Sequence, residues 1–134
     1  MALQDILCPR LYANCADRGR IVEIFRGDEE LRAVLGDVKQ VTFVHLSPGD
    51  KAGSHCHTVK KEILYVMNGW VKGVFRDRVT GEKLSLHLEA GRKVNLMPGV
   101  EHVFLNESDE DVTLLEFASR AFDPDDQDAE KVEF

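Results

Sequence analysis

The sequence predicts an all-β domain, an antiparallel sandwich or small barrel, on three observations. From residue 38 onward, short runs rich in Val, Leu, Ile and Phe follow one another at close spacing. Turn-forming groups separate them: Ser47-Pro48-Gly49-Asp50, Asn68-Gly69, Thr80-Gly81, Ala90-Gly91 and Met97-Pro98-Gly99. Helical periodicity is confined to one short stretch. The 134 residues suit one domain with one core, and 43% apolar content is enough to fill it.

The elements follow in order. Residues 1–19 carry turn signals at Cys8-Pro9 and Asp17-Arg18-Gly19, and 20–26 reads as a short strand. Residues 28–35 read as a helix, capped by Asp28, with Leu31 and Leu35 on one face and Gly36 closing it. Strands are then expected over 38–46, 54–57, 62–67, 70–76, 83–88, 93–96, 102–105 and 112–119, with hairpins at Asn68-Gly69 and Thr80-Gly81. The whole chain, 1–134, reads as a single domain: an N-terminal strand segment over 17–36, a barrel core over about 38–120 and an acidic tail over 122–134. Asp123, Asp125, Asp126, Asp128, Glu130 and Glu133 predict a solvated tail. Phe122, Pro124, Val132 and Phe134 leave room for it to pack back on the body or on a second subunit.

Seventeen basic against 24 acidic residues give a net charge of −7. That balance argues against nucleic acid or an anionic membrane as the main partner, because both need a basic footprint. No apolar run approaches the roughly 18 residues of a membrane span. The first residues lack the basic-then-apolar layout of a signal peptide. Cys8, Cys15 and Cys56 are too few and odd in number for a disulfide framework, which predicts a cytoplasmic protein. Exposed strand edges on a small barrel predict a homodimer.

The stretch that carries chemistry runs from Gly49 to Gly69 and has the spacing G-x5-H-x-H-x4-E-x6-G. Residues two apart in a strand face the same side. His55 and His57 therefore present both imidazoles to one space, and Cys56 points away as a small buried residue. Glu62, opening the next strand, can face the same space. A second stretch, Gly91 to Asn106, reads G-x5-M-x-G-x2-H-x3-N and adds His102. Three imidazoles and one carboxylate suit a divalent metal, zinc first, with iron, manganese or nickel also matched by these donors.

These two stretches resemble the paired motifs of the cupin superfamily, which implies a double-stranded β-helix (jelly-roll) barrel with one short helix and a single metal held by His55, His57, Glu62 and His102. The chain departs from the family where Met97 replaces the usual proline two before Gly99, with Pro98 beside it. Asp17-Arg18-Gly19-Arg20 and the residues to Arg26 resemble a segment of epimerases and ketoisomerases acting on nucleotide-linked deoxy-sugars. His55-x-His57-x-x-Lys60-x-Glu62, Phe122-Asp123-Pro124, Asp128 and Glu130 are similar to the C-terminal cupin domain of capsular-sugar enzymes. The resemblance implies an isomerase or epimerase acting on a nucleotide-linked 4-keto-6-deoxy sugar in polysaccharide biosynthesis. A keto group at C4 acidifies the hydrogens at C3 and C5, and a divalent ion can polarise that carbonyl.

In metal-free relatives the histidine matching His55 is the base. A metal-bound imidazole has no free lone pair for that work, so a metal-bound hydroxide, Lys60, His45 and Glu23 become the base candidates. His45 shares a strand face with Val41 and Phe43 and is expected either to line the pocket or to serve a structural role. Tyr65, three residues after Glu62, falls on the opposite face and reads as packing. The arginine that these epimerases carry before the glycine leading into the histidines is Ala52 here. Lys51, beside it, points the other way and does not reproduce a two-pronged phosphate grip. Arg18 and Arg26, with Arg20 and Lys60, are the substitutes for holding a substrate phosphate. His87, alternating with leucines, faces solvent, and Trp70 covers a barrel edge or a dimer contact. The same four ligands would also serve an iron-dependent dioxygenase or a non-catalytic metal- and sugar-binding module.

Overall fold

The computed structural model describes residues 3–7, 13–16, 19–22, 24–25 and 29–134, of which 13–16, 19–22 and 29–31 enter by backbone alone. Apolar side chains at alternate strand positions build two antiparallel sheets that face each other. One has the order β3 (Gln40–Leu46), β10 (Val112–Ala118), β5 (Glu62–Asn68), β8 (Lys93–Leu96). The other runs β11 (Glu130–Lys131), β4 (Lys51–Cys56), β9 (Val100–Leu105), β6 (Trp70–Asp77), β7 (Lys83–Glu89). A separate hairpin pairs β1 (Ala13–Ala16) with β2 (Gly19–Val22). The helix expected over 28–35 is one short element, α1 (Glu29–Val34). Gly36 closes it with φ +71° and an amide bonded to the Arg32 carbonyl at 3.1 Å. Asp28, its expected cap, lies outside the described residues.

Between the sheets Leu46, Leu64, Val66, Val71, Phe75, Leu88, Val94, Leu96, Phe104, Val112 and Leu114 form one apolar core. Phe75 meets Phe104 edge-on with ring centroids 5.7 Å apart. The core reaches beyond 38–120, because Leu3 and Ile6 are also buried in it. They arrive on a 3-10 turn (Leu3–Asp5) and are tied to β8 by a bridge from Leu7 to Val94 and a bond from the Asn95 amide to the Ile6 carbonyl. Of the strand expected over 20–26, residues 20–22 lie in β2, and 24–25 are described outside any strand. Past it, Phe25 lies on the outer face of the four-stranded sheet, edge-on to Phe117 at 5.0 Å.

The tail is not free in solvent. Its end adds β11 to the edge of β4, and Phe134 lies under the Arg76 guanidinium at 5.1 Å. Backbone pairing with β4 and charge pairs such as Arg78–Glu130 at 2.8 Å offset the solvation its acidic composition favours. No helix among the described residues is long and apolar enough to cross a membrane.

Candidate functional site

The four expected ligands come from three places and converge. His55 lies in β4, His57 follows the end of that strand, Glu62 opens β5, and His102 sits in β9 opposite His55. Their donor atoms all lie within 4.8 Å of one another. The His55 ring is 4.6 Å from both His57 and His102, centroid to centroid. A bulge sets the register: Gly53 pairs with Val103 and His55 with His102, leaving Ser54 out of the ladder. Gly53 (φ +98°) and Ser54 (φ +65°) both take left-handed backbone to make it. At Gly53 a Cβ would also sit 2.9 Å from the His102 carbonyl oxygen, so only glycine fits there.

Hydrogen bonds define the imidazole tautomers. His57 Nδ1 lies 2.5 Å from the Asp128 backbone oxygen, and His102 Nδ1 is 3.1 Å from that of Val100. A carbonyl only accepts, so both Nδ1 atoms carry a hydrogen, and in the neutral form each ring turns the lone pair of its Nε2 toward the cluster. His57 Nε2 lies 2.5 Å from Glu62 Oε1, and both atoms are buried. A ring nitrogen and a carboxylate oxygen this close, shut away from water, share a place that a cation satisfies, whether a proton between them or a metal ion. Burial and the neighbouring His57 hold the His55 pKa down at about 4. Burial and His55 hold His102 at about 3. Burial pushes Glu62 up, but His57 and Lys60 outweigh it and leave its pKa at about 2. The neutral His55 and His102 imidazoles beside an ionised carboxylate are in the protonation states a metal needs from its ligands. The residues fit a divalent ion.

Lys60 joins the cluster, its Nζ 3.7 Å from Glu62 Oε1. Glu116 joins it as well, from the inward face of β10 and in contact with Glu62. Burial and the Glu62 charge push its pKa up to about 7. Sequence reasoning missed this residue. The available signal was a lone charge within Val112-Thr113-Leu114-Leu115-Glu116-Phe117-Ala118, a strand flanked on both sides by others. His45 does not join the cluster. It lies on the outer face of β3 with the exposed Val41 and Phe43, its Nε2 3.4 Å from Asp111 Oδ2. That strand face looks to solvent because Val44 and Leu46 take the inward positions. Glu23, Arg18 and Arg26 lie outside the described residues.

The remaining expectations are placed as follows. Ala52 packs on the core, and Lys51 is exposed on the other face of β4. Tyr65 is buried on the face of β5 away from Glu62 and pairs with Lys93 across the ladder. Cys56 is buried, with Glu130 of β11 paired opposite it. His87 is exposed and stacks on Trp70 at 4.4 Å. The turn containing Met97 and Pro98 bonds to the first motif through the Gly99 amide and the His57 carbonyl at 3.0 Å. Asn106, which closes the second motif, is structural: its Nδ2 donates to the Leu46 and Glu110 carbonyls.

The loop between β4 and β5 is held by a tail residue. The Asp128 carboxylate accepts from the backbone amides of Thr58 at 3.0 Å, Val59 at 2.9 Å and Lys60 at 2.7 Å, and from the Thr58 hydroxyl. Burial pushes its pKa up, but these donors more than offset that and leave it well below the usual carboxylate range.

Comparison with known proteins bears on this geometry. A family described as the polysaccharide biosynthesis C-terminal domain matches residues 14–130. UDP-2-acetamido-2,6-beta-L-arabino-hexul-4-ose reductase of Pseudomonas aeruginosa is 27% identical over 113 residues, covering 83% of this chain and 28% of that protein. The capsular polysaccharide assembling protein CapF of Staphylococcus aureus superposes with a TM-score of 0.68 at 25% identity, covering 92% of this chain and 34% of that one. ChmJ, a 3'-monoepimerase from Streptomyces bikiniensis solved with dTDP-quinovose, superposes at 0.78 with 23% identity, covering 93% and 68%. The chain thus spans about a third or less of the reductase and of CapF, and most of the length of ChmJ. With two facing antiparallel sheets, both histidine motifs in register and a family match over most of its length, the chain is a cupin barrel and belongs to the polysaccharide biosynthesis C-terminal domain family.

Proposed function

We propose that this domain binds one divalent metal ion through His55, His57, Glu62 and His102, and acts as an epimerase or isomerase of a nucleotide-linked 4-keto-6-deoxy sugar in polysaccharide biosynthesis. Zinc is the first choice, with iron, manganese or nickel suited to the same donors. The observation that carries the reading is the convergence of four donor atoms within 4.8 Å of one another, with His57 Nε2 and Glu62 Oε1 buried 2.5 Å apart among them. The family match and the sugar-nucleotide enzymes among the relatives support the substrate class. When bound, the metal supplies a Lewis acid for a substrate carbonyl. The chain's own residues do the rest. Glu116 and Lys60 are the described proton carriers whose side chains reach the cluster, so moving a proton at the neighbouring carbon falls to them.

The functional unit is a homodimer. β3 is an edge strand of its sheet, and Val41 and Phe43 stand exposed on its outer face, 56% and 62% accessible.

The test is metal analysis of the purified full chain, followed by NMR of dTDP- and UDP-linked 4-keto-6-deoxy-hexoses in D2O. One metal per chain, with deuterium entering at C3 or C5 and stopping on chelation, is the expected result. A loaded protein that exchanges no hydrogen overturns it. Oxygen uptake by the iron-loaded protein would then put a dioxygenase in its place, and neither reaction would leave a binding module.

A further inference from the structure

We propose that the C-terminal segment 123–134 is a latch on the metal site, its docking linked to metal occupancy, with Asp128 as the positioning residue. The inference rests on the metal reading above and goes beyond it.

Of the four ligands, His57 alone lies outside any strand, because β4 ends at Cys56 and β5 begins at Glu62. No sheet ladder orients the loop that carries it. Asp128 takes over that role from 71 positions away. Three successive loop amides, those of Thr58, Val59 and Lys60, converge on its carboxylate, and the Thr58 hydroxyl joins them. Its backbone oxygen meanwhile accepts from His57 Nδ1, which selects the tautomer whose Nε2 faces the cluster. One residue thus holds the middle of the loop and sets the ligand, while Gly99 and Ser119 hold its ends through His57 and Lys61. Asp128 does so with φ +49°, a conformation disfavoured for a residue with a Cβ.

The chain after Asp128 continues onto the other ligand strand. Glu130 and Lys131 pair with Cys56 and His55, and the Val132 amide donates to the Ser54 carbonyl at the bulge. The segment therefore touches the backbone at or beside both histidines of the first motif. Arg78–Glu130 at 2.8 Å and Arg120–Asp126 at 3.0 Å hold it from the sides. If docking pre-orders His57 for metal, metal must favour docking by the same factor, because coupling between two binding equilibria is reciprocal.

The experiment uses the full chain with Asp128→Ala, Asp128→Asn and Glu130→Gln. Zinc affinity is measured by competition with a chelating indicator, ligand geometry by the visible spectrum of the cobalt-loaded protein, and docking by hydrogen exchange of residues 57–61 and 124–132 with and without zinc. In the unmodified chain, zinc slows exchange in both segments. Asp128→Ala weakens zinc roughly 10–100-fold, as loss of an outer-shell partner does, shifts the cobalt spectrum and removes the zinc-dependent protection of the tail. Asp128→Asn keeps an oxygen for the Thr58 donors and the backbone carbonyl, and loses less. Glu130→Gln breaks the tail's pair with Arg78, loosens the tail without touching the loop and weakens zinc by a smaller factor. If Asp128→Ala does not fold, the other two variants carry the test. Unchanged affinity and spectrum in the variants, with tail exchange indifferent to zinc in the unmodified chain, overturn the latch and leave the metal reading standing. Absence of zinc binding by the unmodified chain overturns both.

Discussion

His57 Nε2 and Glu62 Oε1 lie 2.5 Å apart, both buried inside the barrel. Without a metal this contact is an ion pair when the ring is protonated and a lone pair set against a carboxylate when it is not. Glu62→Gln puts an amide N–H where the carboxylate oxygen was, so it can donate to Nε2. Against its burial, His57 and Lys60 hold the Glu62 pKa at about 2, so the folded protein favours the charged carboxylate, and the variant is expected to melt lower than the parent at neutral pH in the presence of a chelator. It also loses zinc affinity by more than the roughly 10–100-fold that goes with an outer-shell partner. Thermal melts with chelator and with zinc check both halves. Identical zinc-induced stabilisation of parent and variant would exclude Glu62 as a ligand.

Gly53→Ala places a methyl 2.9 Å from the His102 carbonyl oxygen, on backbone at φ +98°. A destabilisation of about 1–3 kcal/mol is expected from the backbone strain alone. Because the clash is with the backbone of a ligand, zinc affinity falls as well. Denaturant unfolding and zinc titration of the same samples separate the two effects.

Glu116→Gln keeps the shape of the side chain and removes its proton exchange. Hydrogen exchange into the sugar is expected to slow by about 10²–10⁴-fold, the usual worth of a general acid or base, with metal content unchanged and a melting temperature at neutral pH no lower than the parent's, because the amide avoids a charge that burial disfavours. Deuterium incorporation per unit time is the measurement.

Acid is expected to destabilise the metal-free protein between about pH 6.5 and pH 4. Both His55, at about 4, and His102, at about 3, resist protonation when folded, whereas in the unfolded chain they take protons near pH 6.5. The unfolded state then binds more protons, so stability falls as pH is lowered. Glu116 works the other way. Its folded value of about 7 means that its contribution is present at low pH and is lost as pH rises through neutrality. Two imidazoles outweigh one carboxyl, and Glu116→Gln should steepen the acid-side loss. Denaturant midpoints at pH 7, 6 and 5 in chelator give the slope.

Phe43→Glu places a charge on an exposed apolar position of edge strand β3. Light scattering over a dilution series is expected to show a dimer for the parent and a monomer for the variant, with the fold intact by circular dichroism. A parent that is monomeric throughout would exclude the dimer.

The barrel strands were legible because the signals are local. Alternation of apolar residues, with glycine at the turns, marks β3 to β10 to within a few residues, and the spacing of His55, His57 and Glu62 puts three donors on one side without knowledge of the rest. His45 shows where the same reasoning stops. The residues 41, 43 and 45 clearly share a face, but which face looks inward depends on the neighbouring strands, and Val44 and Leu46 take the core. Glu116 was hidden for a related reason: its strand is apolar on both sides, so alternation carries no sign.

By itself, then, the chain's order of residues determined an antiparallel β barrel and the donor types gathered in it, since strand period and turn chemistry act over a few residues. Only the tertiary structure decided that an acidic tail docks beside those donors, that Asp128 orients His57 and that Glu116 stands against Glu62. Those contacts join residues more than fifty positions apart, and what brings them together is burial and pairing across the whole fold.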